Sequence, residues 1–152
     1  MSVFKKDAEA RLLELLKEET GMFGQMLKLT EEQAELIASD DVEAFEKSLD
    51  HRQELIEKIN GLHKESEVLM QSYITYANTP AGKRIDGIEA AAEELRDVIA
   101  KCAGLNEKNA EAAKDKVDSY KERIGKLNTG RKSLGLYIQN VSNDPEMFDK
   151  MT

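Results

Sequence analysis

A chain of 152 residues with 40% hydrophobic and 5% aromatic content has the size and apolar share of one domain. Its formal charge of -8 at pH 7 argues against a general nucleic-acid binder, whose affinity comes from neutralising phosphates with Lys and Arg, and fits a basic or cationic partner surface instead. No apolar run reaches the ~18 residues of a membrane span, Met1 to Lys6 lacks a signal-like apolar core, and Cys102 is the lone cysteine, so the chain is expected in the cytoplasm, without membrane insertion and without an intrachain disulfide.

Helix formers dominate, Trp is absent, and Pro80 and Pro145 fall outside the periodic stretches, so an all-α fold is expected. The first stripe runs within Val3 to Ala38: Leu12, Leu15, Leu16, Met22, Met26, Leu29 and Leu36, with Glu19 and Gln33 at intervening seam positions. Ser39, Asp40 and Asp41 interrupt it, and Asp40 followed three residues later by Glu43 has capping-box form. A second helix is predicted from about Asp41 to Ala77, with Phe45, Leu49, Ile56, Ile59, Leu62, Leu69, Tyr73 and Ala77 as its stripe. The turn Asn78-Thr79-Pro80-Ala81-Gly82 closes it, and a third helix begins near Arg84. Its apolar residues Ile85, Ile88, Ala92, Leu95, Ile99 and Cys102 continue through Asn106, Asn109, Ala113, Val117, Tyr120, Ile124 and Leu127 at steps of three and four. The spacing stays helical while the chemistry turns polar and sparse, which makes this helix the expected organiser of the fold and its second half the place to look for function.

Both breaks are too short for a crossover, so sequential helices must fold back on one another, giving an elongated antiparallel bundle of three long helices. At about 1.5 Å per residue the first two would each span roughly 50 Å. The bundle is expected over residues 1–128. Residues 129–152, with Leu134, Leu136, Tyr137, Ile138 and Val141, read as a C-terminal partner-binding tail, a short amphipathic segment whose stability as a helix Gly130, Gly135 and Pro145 weaken.

With the two turns as mirror points, Gly21, Gly61 and Gly104 come level, as a close helix approach or a shared bend would require. The same arithmetic levels Glu19, His63 and Cys102. These residue types can ligate zinc; the alternative is a semi-buried histidine paired with a carboxylate beside an inert core thiol. Enzymatic patterns fail one by one. Ser48 and Asn60 stand where the Glu-x-x-His of a di-iron bundle needs glutamates, and Gly82-Lys83 and Gly125-Lys126 lack the rest of a phosphate-binding loop. Leu62-His63-Lys64-Glu65 offers a histidine for phosphotransfer, with nothing further in support. No enzyme activity, metal or other cofactor is expected. Met22, Met26 and Met70 read as core, with an adaptable partner groove as the alternative.

Leu12 to Leu29 as a Leu-rich opening helix, Ser39-Asp40-Asp41-Val42-Glu43-Ala44 as a short acidic break, Leu105-Asn106-Glu107-Lys108-Asn109 as an Asn-x-x-Asn step on a long third helix, and Phe148-Asp149-Lys150 together resemble the FlgN family of flagellar export chaperones over most of the length. The chain departs from that pattern in following Tyr137 with Ile138 rather than glycine. The resemblance implies a small acidic helical chaperone without ATPase activity, which binds hook-associated (hook-filament junction) proteins through its C-terminal region and delivers them to the export gate. Tyr137 is the nearest match to the family's tail tyrosine for export-gate contact; the alternative is a tyrosine covering the bundle end.

Asn106 and Asn109, three apart on one face, are either polar seam residues that fix register or part of a groove completed by a partner helix. In the second case Val117, Tyr120, Ile124 and Leu127 are its apolar anchors, joined by Leu134, Tyr137 and Ile138 from the tail. Two classes of function stand side by side: an export chaperone, monomeric or weakly dimeric, and a structural coiled-coil adaptor that self-associates through the same seam. Phosphotransfer at His63 is a third.

Overall fold

A computed structural model describes residues 4–122, which form three α-helices: α1 (Lys6–Ser39), α2 (Val42–Ala77) and α3 (Asp86–Glu122). At 34, 36 and 37 residues each is about 50–55 Å long. Among the described residues there is no strand, and no helix is long and apolar enough to cross a membrane. The expected all-α bundle of three long helices is the fold.

Cross-helix contacts set the chain directions. Arg11 pairs with Glu65 at 2.7 Å and Gln33 Nε2 donates to Ser48 Oγ at 3.1 Å, so α2 runs antiparallel to α1. Cys102 meets Phe23, and Asn109 meets Thr30, so α3 returns parallel to α1. The central element is α1, which packs against both others, whereas no Cα of α2 comes within 8 Å of one in α3. The long stripe on α3 pointed to that helix as the organiser; the burial pattern of α1 shows why it is not. Buried positions on α1 come in adjacent pairs, Leu15 with Leu16 and Leu29 with Thr30, so its covered arc spans two seams instead of one. Glu19 and Gln33 are fully buried at their seam positions, as are Met26 and the unforeseen Phe23.

The core is divided. A main cluster gathers Leu12, Leu16, Phe23 and Met26 of α1, Ile59 and Tyr73 of α2, and Ile88, Leu95, Ile99 and Cys102 of α3, with Met22 and Met70 partly buried against it. Among the described residues, a second cluster at the other end holds only Ile37, Phe45 and Ala113, with Leu36, Leu49 and Val117 half-buried around them. Each well-buried aliphatic or aromatic side chain contributes about 1.5–3 kcal/mol, so the main cluster supplies most of the stabilisation.

The turns are held by local chemistry. Asp41 caps α2, its Oδ1 accepting from the Ala44 N–H at 3.1 Å. The cap falls one residue later than the Asp40 to Glu43 pattern indicates, because Asp40 itself ends α1 in the left-handed region at φ 60, ψ 24, a conformation that Asp tolerates better than most residues. In the second turn the Gly82 N–H donates to the Thr79 carbonyl at 3.0 Å, and a Cβ at position 82 would collide with the Tyr76 carbonyl and the Thr79 hydroxyl. Tyr73 then secures the start of α3, accepting from the Ile85 N–H at 2.8 Å and donating to Glu89 at 2.9 Å.

Gly21, Gly61 and Gly104 do not mark a close approach. All three are exposed, with nothing within 4 Å of where a Cβ would stand. Replacing each by Ala should therefore raise stability by about 0.5–1 kcal/mol through helix propensity, whereas Gly82→Ala should lower it by about 1–3 kcal/mol because the turn must shift. Urea denaturation of the four single variants checks both signs; a destabilised Gly21→Ala would show that close packing matters there after all.

Candidate functional site

The third helix changes character after Cys102, and the structure shows what its polar stretch faces. Thr30 and Gln33 of α1, Ser48 and Arg52 of α2, and Asn106 and Asn109 of α3 are all buried, forming a polar belt between the two apolar clusters. Asn109 Nδ2 donates to the Thr30 carbonyl at 2.8 Å. Thr30 Oγ1 donates to the Met26 carbonyl at 2.7 Å and accepts from Arg52 Nη1 at 3.4 Å, while Arg52 Nη1 also lies 3.3 Å from Met26 Sδ. Ser48 accepts from Gln33 and donates to the Phe45 carbonyl at 2.5 Å. The Asn106 amide has no hydrogen-bond partner among the described residues, a cost of about 1–3 kcal/mol for a buried polar group.

Asn106 and Asn109 are thus 2% and 3% exposed in this closed arrangement, with Asn109 bonded to α1 as a register-fixing residue would be. Val117 is half-buried against Ile37, Phe45 and Ala113. Tyr120 lies on the last turn of α3. Ile124, Leu127, Leu134, Tyr137 and Ile138 lie outside the described residues, as does the boundary between 128 and 129. Lys116 Nζ reaches Asp40 Oδ1 at 2.5 Å and ties this part of α3 to the first turn. Arg52 escaped the sequence reading, although the gap between Leu49 and Ile56 in the α2 stripe falls on it.

Glu19 and His63 do meet, whereas Cys102 stands apart from them. His63 Nδ1 is 3.8 Å from Glu19 Oε2, and His63 Nε2 is 3.8 Å from Glu67 Oε2. The Cys102 thiol donates to the Phe23 carbonyl at 3.3 Å, and burial pushes its pKa up to about 11, so it is an inert core thiol. Among the described residues no group of three His, Cys, Asp or Glu side chains is placed to hold a metal ion. A phosphoryl group on His63, whose side chain is only 19% exposed, would face repulsion from both neighbouring carboxylates.

Burial raises the pKa of Glu19 above the ordinary carboxylate range, with Ser66 and His63 opposing the shift only in part. Neither Glu19 oxygen has a hydrogen-bond partner among the described residues. Since its folded pKa exceeds the unfolded value near 4.5, the resulting destabilisation is absent below about 4.5 and complete above the folded pKa. Glu19→Gln should therefore exceed the parent in stability at pH 8 by about 1 kcal/mol, a gain that shrinks as pH falls towards 4.5. Paired urea titrations across this range provide the measurement; a gain that grows on acidification would contradict the assignment.

Residues 1–143 match the family described as FlgN protein. No curated protein and no solved structure gives a match. The matched stretch takes in all three helices, both turns and the whole polar belt. By that extent the chain belongs to the FlgN family, the flagellar export chaperones.

Proposed function

We propose that this FlgN-family protein binds hook-associated (hook-filament junction) proteins in the cytoplasm and delivers them to the flagellar export gate, by binding alone and without a catalytic step or cofactor. It acts as a monomer or weak homodimer. The bundle proper is residues 1–128, and residues 129–152 are a partner-binding tail. The client lies along the far end of α3 and its continuation, with Val117, Tyr120, Ile124 and Leu127 as anchors, and with Leu134, Tyr137 and Ile138 added from the tail. Tyr137 makes the export-gate contact.

The thin distal core supports this placement above all else. Beyond the polar belt, among the described residues, only Ile37, Phe45 and Ala113 are buried, and Val117 is half-covered. Ala113 offers little apolar area, so an amphipathic client helix gains burial here that the described helices do not supply. Asn106 and Asn109 form the inner edge of the site, reached by a client only where the seam between α1 and α3 opens. Ordering the tail on binding costs conformational entropy, which holds affinity down and permits release.

Each buried aliphatic side chain contributes about 1.5–3 kcal/mol, so joint replacement of Ile124 and Leu127 by Ser should weaken binding of a hook-associated protein by at least about tenfold. Thermal unfolding should change little. Calorimetric titration alongside a melting curve reads both quantities. If melting drops sharply while the affinity of the folded molecule is unchanged, the two residues are core and the site is misplaced. A stable homo-oligomer in sedimentation without client would favour the self-associating adaptor.

A further inference from the structure

At the opposite end of the bundle, near the turn joining α2 to α3, a groove of about 470 Å³ runs between these two helices with α1 as its floor. It exists because both helices pack on α1 while their backbones stay more than 8 Å apart. Its lining extends from His63 along α2 to its cap Asn78, and from Arg84 in the turn to Arg96 on α3, a length of roughly 20 Å, or three to four helical turns. Met70 and Ile74 form one wall and Leu95 the other; Leu16 and Glu19 form the floor, with His63 beside Glu19.

Two features of this groove are incompletely matched within the described bundle. Ile74 is 43% exposed on the wall. Glu19 is 0% exposed, and both its oxygens lack a hydrogen-bond partner among the described residues. A carboxylate in that position is expensive to hold ionised unless something donates to it. Both oxygens are covered in the described bundle, with His63 Nδ1 3.8 Å from Oε2, so a donor from outside reaches them where the His63 side chain turns aside. Two acceptor oxygens on one planar group then match the planar fork of a guanidinium, which can serve both at once, better than the single point charge of an ammonium.

We propose that this groove receives a helical segment of a partner protein through one arginine, whose guanidinium passes between the apolar walls and donates two hydrogen bonds to the Glu19 carboxylate. Aliphatic side chains one turn to either side of that arginine cover Ile74 and Leu95. Charge favours such an occupant: the chain carries -8 overall, and Glu67 adds a carboxylate beside His63. Two arginines also line the groove: Arg84 is neutralised by Glu89 at 2.6 Å, and Arg96, an exposed side chain, faces the same Glu89 carboxylate, at the end of the groove away from Glu19 and Glu67. The groove is independent of the client site, since Glu19 and Asp40 are separated by about 30 Å along α1.

The test is an NMR titration of the full chain with n-butylguanidinium, with n-butylammonium in parallel. The guanidinium should saturably shift amides around Leu16–Thr20 and His63–Ile74, and should bind about tenfold more tightly than the ammonium. Glu19→Gln, with its fold checked by circular dichroism, should lower that affinity by about tenfold or more. Glu67→Gln, a more exposed charge, should lower it by less than about threefold. Ile74→Lys changes an exposed position that folding does not depend on, and should also weaken binding by placing an ammonium on the wall. A four-turn alanine-leucine peptide with one central arginine should bind more tightly than n-butylguanidinium and lose this advantage when citrulline replaces the arginine. The variant with Ile124 and Leu127 replaced should titrate like the parent, which separates this outcome from that of the client site. Absence of saturable shifts, equal affinity for the two cations, equal losses for Glu19→Gln and Glu67→Gln, or a peptide indifferent to citrulline overturns the proposal. Shifts at these amides that follow protein concentration alone would assign the groove to a second copy of the chain, and overturn it equally.

Discussion

α1 has to be covered on two sides at once, because its buried residues span an arc too wide for a single neighbour. That constraint fixes where the other two helices go. α2 covers one side and α3 the other, each needing only one buried stripe, and their outer faces are left to the charged residues. It also explains why α2 and α3 meet chiefly near their shared turn. There Tyr73 bonds to Ile85 and Glu89, and Phe4 packs edge-on against Tyr73 and stacks with Tyr76 at centroid distances of 5.6 and 6.0 Å. Farther along, among the described residues, the two flanking helices are joined through α1 and leave a side of it between them uncovered by either backbone.

The polar belt sets the register of this arrangement. A purely apolar seam tolerates a slip of one helical turn at modest cost, whereas a buried amide that must find a carbonyl does not. Asn109 reaches the Thr30 carbonyl on α1, and Gln33 reaches Ser48 on α2, so both flanking helices are pinned to the same level of the central one. Burying Arg52 and Asn106 here costs stability that leucines would have supplied. The return is a bundle whose two halves differ in kind.

Much of this was legible from local pattern. Helix number, the two turns and the burial of Glu19 and Gln33 follow from period and turn length, which neighbouring residues encode. The meeting of Glu19 with His63 also follows, since an antiparallel pair joined by a short turn fixes which residues share a level. What the stripes do not encode is rotation about the helix axis and the number of neighbours each helix has. Counting one stripe per helix hides the double seam of α1, passes over Phe23 and Ile37, and sends attention to α3 instead. It also cannot separate Cys102, bonded at Phe23, from Glu19 about one turn away. Arg52 was missed because a charge within a stripe reads as an interruption, although its long stem can be buried when the head finds acceptors. Of the candidate site, the asparagine step was visible as a change of chemistry; that both residues are closed against the bundle depends on packing which sequence spacing does not carry.

The unequal ends bear on how a helical chaperone can hold and release a protein. Opening the main cluster would expose Leu12, Leu16, Phe23, Met26, Ile59 and the aliphatic run of α3 together, so that end resists local unfolding. Opening the distal end exposes three buried apolar side chains among the described residues and separates Asn109 from Thr30 and Lys116 from Asp40. The freed belt residues are polar, and water can satisfy them, Asn106 included, so part of the lost contact energy is recovered on opening. If the client docks there, as proposed, its helix competes against few contacts among the described residues and contributes its own apolar area, while the main cluster keeps the rest of the bundle folded. Binding and release can then be confined to one end of the molecule, with the polar belt as the boundary between the part that changes and the part that does not.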